Sequence, residues 1–157
     1  MLKLEAETVN AFIEPCISVF EMLTPKVGRV VVGAVYIEAM KVSNYDVSMS
    51  CMISGSLEGK VVLSMKSDVA LEIAEDMVGE AVDSLDDDAQ SAIKELMTMV
   101  VGNAAVELGK TNLDINIAPV TFSYGFQEHI GNPSCPYPVT VPLLCDLGTV
   151  EIDLAFY

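Results

Sequence analysis

The stretch from Asp86 to Lys110 constrains the fold more than any other part of this sequence. Its apolar residues recur on one side of a helical wheel, the pattern of an amphipathic helix that packs against a core. These residues are Ile93, Met97, Val100, Ala104 and Leu108, with Ala89 and Leu96 at the margins. At a rise of about 1.5 Å per residue, the segment predicts a helix about 34 Å long, which is long for a small domain.

Both ends of this segment carry helix-boundary signals. Ser84 followed by Asp87 is a loose capping box, and the aspartates around it suit the positive end of the helix dipole. Gly109 is expected to adopt the left-handed conformation that often follows the last residue of a helix, and Lys110 comes next in the sequence. We therefore expect the helix to begin near Ser84 and to end just before Gly109.

The opposite side of the predicted helix carries a short polar row. Ser91, Glu95, Thr98 and Gly102 recur at helical spacing, and Lys94 lies beside them. Glu95 offers a hydrogen-bond acceptor or base, the hydroxyls offer weaker hydrogen bonds, and Lys94 offers a cation. On these residues alone, a solvated helix face is the simplest interpretation, and a binding surface is the alternative.

The rest of the chain predicts an α+β domain over residues 1–157, with a mainly antiparallel sheet covered by about three helices. A first helix is expected from about Thr8 to Leu23, and Pro15 makes it either begin near Asn10 or kink there. A second helix is expected to end at Gly79.

The predicted strands are distinguished by β-branched content and by alternation. Residues 29–38 are rich in valine, which favours a central strand. Residues 46–54 alternate strictly and pair, through a loop at 55–59, with 60–65. Further strands are expected at 115–124 with a break at Pro119, at 139–145 and at 150–156, with an irregular segment at 125–138.

Composition narrows the possible functions. The net charge of −15 argues against nucleic-acid binding by phosphate neutralisation. The residues Met1–Asn10 lack the apolar segment of a signal peptide, and no apolar run has the length of a membrane span, so we expect a cytoplasmic protein without membrane insertion. One histidine and four cysteines without CxxC spacing give no metal site. A hydrophobic share of 52% favours burial of surface against a second copy.

Several segments together resemble the CheC/CheX family of chemotaxis phosphatases, and its CheX branch more closely. The first helix, NAFIEPCISVFEML, is similar to the family's first helix. The hairpin SGSLEGKVVLSM and the helix ALEIAEDMVG that follows it resemble the next two family elements. The long helix, SAIKELMTMVVGNAAVELGK, resembles the helix that carries the family motif. The likeness extends over nearly the whole chain and implies a CheX-like fold.

The family motif is Asp or Ser, three residues, Glu, two residues and Asn. It falls here on Ser91, Glu95 and Thr98, so that threonine stands where the family has asparagine. The resemblance implies removal of the aspartyl phosphate of the response regulator CheY in chemotaxis or another two-component pathway. Glu95 would bind the regulator's lysine and residue 98 would orient the attacking water, with Ser91, Lys94 and Gly102 as further partner contacts.

The resemblance also implies the partners and cofactors. The Mg²⁺ ion belongs to the regulator, so no cofactor of the protein's own is expected, and a homodimer formed through edge strands is expected. Because a threonine hydroxyl is shorter than an asparagine amide and stiffer at χ1, hydrolysis would be weakened. A non-catalytic adaptor that binds a response regulator through the same scaffold is the alternative.

Overall fold

The computed structural model describes residues 5–157. The interpretation of the N-terminus as free of a signal peptide rests partly on residues 1–4, which lie outside the described residues. The helices are α1 (Ala6–Leu23), α2 (Ser67–Val78) and α3 (Asp87–Gly109). The strands are β1 (Val31–Val32), β2 (Tyr36–Ile37), β3 (Val47–Gly55), β4 (Gly59–Met65), β5 (Ile115–Ile117), β6 (Thr121–Tyr124), β7 (Val139–Cys145) and β8 (Gly148–Phe156).

The strands form one antiparallel sheet. Its order is β1-β7-β8-β4-β3-β5, with β2 also paired to β7 and β6 also paired to β3. The predicted break at Pro119 separates β5 from β6, and the predicted hairpin joins β3 to β4. The predicted α+β class, with three helices on a mainly antiparallel sheet, is therefore confirmed.

One face of the sheet packs against the three helices. The alternation in β3 places Val47, Met49, Cys51 and Ile53 in the core, as the period of two predicts. They share one apolar cluster with residues of α1, α2 and α3. Because α1 and α3 pack directly on each other, the outer surfaces of these two helices lie side by side.

Irregular chain covers the other face of the sheet at β4 and β8, whereas Met52 of β3 is exposed on that face. Val62 of β4 and Ala155 of β8 pack there with Ile130 and Cys135 from the loop before β7. That loop is held to the segment after β2, since the amides of residues 130 and 131 both donate to the Lys41 carbonyl at 2.9 Å. Gly131 is required there, because a Cβ would lie 2.6 Å from the backbone of the segment at residue 40. The small apolar cluster therefore depends on two loops that cross at close range.

The interpretation of residues 29–38 as a central strand was wrong. The segment forms β1 and β2, two short strands at the edge of the sheet beside β7. Val31 pairs with Leu144 but Ile37 pairs with Val139, so one extra residue is accommodated between β1 and β2. A bulge of this kind is typical of an edge. Val31, Val32 and Val35 are exposed, and β-branched content alone does not distinguish an edge from a centre.

The ends of α3 differ from the prediction by a few residues. The N-cap is Asp86, whose carboxylate accepts the amide of Ala89 at 2.9 Å, so Ser84 does not cap the helix. Gly109 is the last helical residue rather than the left-handed one, and Asn112 takes the left-handed conformation at φ 63°. An aspartate is as good a cap as a serine, which is why local sequence could not choose between them.

Pro15 lies inside α1. The helix begins at Ala6, so the interpretation in which it starts near Asn10 was wrong. It ends at Leu23, directly before Thr24, as predicted. The side chain of Pro15 is buried, so the proline contributes to packing although it has no amide hydrogen to donate within the helix.

Candidate functional site

The polar row predicted on the long helix lies on the outer side of α3. Ser91, Glu95 and Thr98 are exposed, while Lys94 and Gly102 are half-buried. The opposite side of α3 is buried at every position of the predicted apolar stripe, including Ala89 and Leu96 at its margins. The buried side therefore anchors α3 to the core along its whole length, and the polar row on the outer side has a defined orientation.

Glu95 and Lys94 are available for contacts with another molecule. Among residues 5–157, neither side chain forms an ion pair or a side-chain hydrogen bond. This contrasts with Lys110 near the end of the same helix, whose ammonium group lies 2.8 Å from Glu107. An unpaired carboxylate and an unpaired ammonium on adjacent positions can each bind an opposite charge on a partner at little desolvation cost.

The side-chain hydroxyl of Thr98 already donates a hydrogen bond within α3. Its hydroxyl donates to the carbonyl oxygen of Lys94, one turn earlier, at 2.9 Å. This is the usual local bond of a threonine within a helix. Its oxygen can still accept a hydrogen bond from a water molecule, but its hydrogen is committed to the helix. An asparagine amide at this position would both donate and accept.

The surface of α1 borders the far end of the row. Glu14, Pro15 and Ser18 line a groove of about 270 Å³ together with Asn103, Val106 and Glu107 of α3. The start of α1 and the end of α3 line a larger cavity of about 650 Å³, so the two helices run antiparallel. On α1 itself, Ile17 packs against the core and does not offer a polar group beside Glu14. The first helix therefore does not repeat the motif of α3.

A buried polar cluster on the other face of the sheet was missed by sequence reasoning. At its centre is Lys41, whose side chain is fully buried. Its ammonium nitrogen lies 3.3 Å from carboxylate oxygens of both Glu151 and Asp153 on β8. It also donates to the hydroxyls of Tyr36 at 2.7 Å and Thr140 at 3.0 Å. The cluster fastens the segment after β2 to the centre of the sheet.

The electrostatics of this cluster follow from its burial. Burial by itself lowers the pKa of Lys41, but the hydrogen bond to Tyr36 and the charges of Asp153 and Glu151 outweigh it and raise that pKa. Burial raises the pKa of Asp153 above its ordinary value, against the opposing effects of Thr140 and Lys41. Lys41 is therefore held as a cation, and the folded protein holds the proton of Asp153 more tightly than the unfolded chain does.

The sequence does indicate the two carboxylates of this cluster. Glu151 and Asp153 alternate with Val150, Ile152 and Leu154 along β8, so both carboxylates point to one side of a strand. A strand that is buried on both faces would need a cation there. The identity of that cation, Lys41 in an irregular segment, carries no local signal.

No helix within residues 5–157 combines the length and apolar character needed to cross a membrane. The described residues also contain no group of three or more His, Cys, Asp or Glu side chains placed to hold a metal ion.

The protein is thus an α+β domain in which three helices cover an antiparallel sheet. Its longest helix, α3, carries an exposed row of polar residues. The family model described as chemotaxis phosphatase CheX matches residues 47–144, which is more than half of the chain. The chain belongs to the CheX family. The expected family resemblance is thus confirmed.

Individual relatives agree with this assignment. The CheY-P phosphatase CheX of Thermotoga maritima is 35% identical over 74 residues, which are 46% of this chain and 48% of that protein. The match thus spans about half the length of that relative. The crystal structure of CheX from Desulfovibrio desulfuricans is similar with a TM-score of 0.86 and 18% identity, covering 96% of this chain and 99% of that one.

A further solved structure contains a relative together with a second protein. The CheX-CheY-BeF3-Mg complex of Borrelia burgdorferi includes a chain similar to this one with a TM-score of 0.79 and 23% identity. The likeness covers 98% of this chain and 99% of that chain. At these identities the solved structures show the fold.

Proposed function

We propose that this protein removes the phosphoryl group from the aspartyl phosphate of a CheY-type response regulator in the cytoplasm. The observation that carries the proposal is the exposed row on α3, where Glu95 is unpaired and Thr98 lies one turn away on the same side. Membership of the CheX family supports the proposal. The Thermotoga relative is a CheY-P phosphatase, and the Borrelia relative forms a complex with CheY, which also support it.

The reaction requires little chemistry from the protein itself. Water attacks phosphorus, the bond to the aspartyl oxygen breaks, and the products are a free aspartate and inorganic phosphate. An acyl phosphate is already activated, so placing the water in line supplies most of the acceleration. Mg²⁺ bound by the regulator would neutralise the phosphoryl charge, and we propose no cofactor held by this chain.

We assign roles along the row by position. Glu95 binds a lysine of the regulator and so fixes the docking geometry, as its free carboxylate allows. Thr98 accepts a hydrogen bond from the attacking water. Ser91 contacts the regulator one turn before Glu95, and Gly102 does so one turn after Thr98. Lys94 faces the carboxylates of the regulator's pocket, which matters because this chain has a net charge of −15.

The hydroxyl bond of Thr98 supports a second candidate function. A residue that uses its only hydrogen on the helix backbone orients water less completely than an amide does. The alternative is therefore an adaptor that binds the phosphorylated regulator without hydrolysing it. The two functions share the docking row and differ only in turnover.

The deciding experiment measures the loss of phosphate from a phosphorylated CheY-type regulator with and without the protein. Acceleration supports the phosphatase, and binding without acceleration at saturating protein selects the adaptor. Glu95→Ala is expected to abolish both binding and acceleration, because the carboxylate makes the charged contact. Glu80→Ala removes an exposed glutamate outside the row and should leave both unchanged. Absence of binding by the wild-type protein contradicts both functions.

We also propose that two copies associate along the edge formed by β1 and β2. Val31 is 49% exposed and Ile37 is 62% exposed. Together with exposed Leu144 of the neighbouring strand β7, they form an apolar surface at this edge. An edge strand with apolar side chains presents unpaired backbone groups that a second copy of the same edge can satisfy.

The dimer has a direct test. Light scattering should give twice the chain mass of 16.8 kDa, and Val32→Lys should give the monomer mass because it places a charge on this edge. Ile117→Lys, which alters the opposite edge of the sheet, should remain dimeric. A monomer mass for the wild-type protein at every concentration would contradict the proposal.

A further inference from the structure

Gly102 lies in the interior of α3, and nothing in residues 5–157 requires a glycine there. A Cβ built at this position has no heavy atom within 4 Å, so neither α1 nor any other described element requires the space. Its φ is also not in the left-handed region, so the backbone conformation suits alanine equally well. Glycine inside a helix lowers stability relative to alanine. The fold alone would therefore be more stable with a side chain here.

Because Gly102 has no side chain, another molecule can approach the backbone of α3 closely at this position. Gly102 lies one turn after Thr98 and one turn before Val106, which is 63% exposed. The bare backbone at Gly102 is thus a notch between a polar and an apolar side chain on the outer side of α3. Beside it, Asn103 and Val106 form one wall of the groove shared with α1. The surface is open to a molecule that approaches the helix backbone closely.

We propose that the notch at Gly102 receives an apolar loop of the response regulator's receiver domain. This inference rests on the proposed function, because the notch continues the row that starts with Glu95 and Thr98. The contact brings the regulator's backbone within van der Waals distance of α3, and Val106 supplies the adjoining apolar surface. Gly102 is accordingly a residue that determines which regulators fit, and a partner with a bulky or charged loop at this point is excluded.

The test exploits opposite effects on stability and binding. Gly102→Ala is expected to raise Tm by about 1–4 °C, because alanine favours the helix. The same methyl group occupies the notch, so the Kd for the beryllofluoride-activated receiver domain of a CheY-type regulator from the same genome should rise about tenfold or more. Gly102→Ser, with a larger side chain, should weaken binding further. Isothermal titration calorimetry gives the Kd values, and circular dichroism gives Tm.

The chain offers a matched control in Gly109. It lies on the same side of α3, seven positions further along, and a Cβ there also meets nothing within 4 Å. Gly109→Ala should leave the Kd unchanged, since the position is beyond the notch. Equal Kd values for Gly102→Ala and the wild type would overturn the inference, as would a fall in Tm for Gly102→Ala. Failure of the wild-type protein to bind any activated receiver domain would instead overturn the proposed function.

Discussion

Asparagine in place of Thr98 is expected to raise the rate constant of phosphate loss from the phosphorylated regulator by about 10²-fold. The amide reaches one bond further than the hydroxyl and can both donate to and accept from the attacking water. The Thr98 hydroxyl instead donates its only hydrogen to the carbonyl of Lys94 at 2.9 Å. The gain should lie in the maximal rate rather than in the half-saturating concentration, because Glu95 still makes the docking contact.

The control for this variant is an asparagine outside the row. Glu80→Asn places an amide at an exposed position between α2 and α3 and should leave the rate unchanged. Phosphate release is followed under single-turnover conditions with saturating protein. If Thr98→Asn leaves the rate unchanged while Glu95→Ala removes activity, residue 98 does not orient the water.

Replacement of Lys41 by methionine is expected to lower the free energy of unfolding by about 3–5 kcal/mol. The substitution leaves Glu151 and Asp153 buried near each other without the cation that lies 3.3 Å from both. It also removes the hydrogen bonds to Tyr36 and Thr140, whose hydroxyls then lose a buried donor. Denaturant titration followed by circular dichroism measures the loss.

Two further measurements make this prediction specific. Lys110→Met removes a lysine whose ion pair with Glu107 is exposed, so the free energy of unfolding should fall by about 1 kcal/mol or less. Because the folded-state pKa of Asp153 is raised, ionisation of this group disfavours the folded state increasingly as pH rises above about 4. The charge of Lys41 lowers this pKa in the wild type, so its removal raises the pKa of Asp153 further. The stability lost in Lys41→Met should therefore be smaller at pH 5 than at pH 8. Equal stability of Lys41→Met and the wild type at pH 8 would contradict the role of the cluster.

Elements with strong periodicity were predictable from the sequence. The alternation from Val47 to Ile53 identified both the strand and its buried side, and the stripe from Ile93 to Leu108 identified α3. In each case burial repeats with the geometry of the element, so the pattern is local. Residues 29–38 were misinterpreted because their valines favour any strand. Whether a strand lies at the centre or the edge depends on which strand pairs with it, here β7.

The candidate site was predictable in outline only. Helical spacing gave the exposed row that contains Glu95 and Thr98, and the resemblance gave its proposed roles. The bond from Thr98 to the Lys94 carbonyl and the open space at Gly102 depend on rotamers and on neighbouring helices, which spacing does not specify. The cluster at Lys41 unites residues more than a hundred positions apart, and one sequence carries no information on such a pairing.

The strand that comes last along the sequence lies in the middle of the sheet. β8 separates β7 from β4, and it carries both carboxylates that neutralise Lys41. While the chain emerges from the ribosome, β3 and β4 can pair as a local hairpin, but β7 has no route to them until residues 148–156 are available. Until then the two half-sheets stay apart and the Lys41 ammonium group lacks both of its carboxylate partners. Closure of the sheet and neutralisation of Lys41 are therefore one event in biosynthesis.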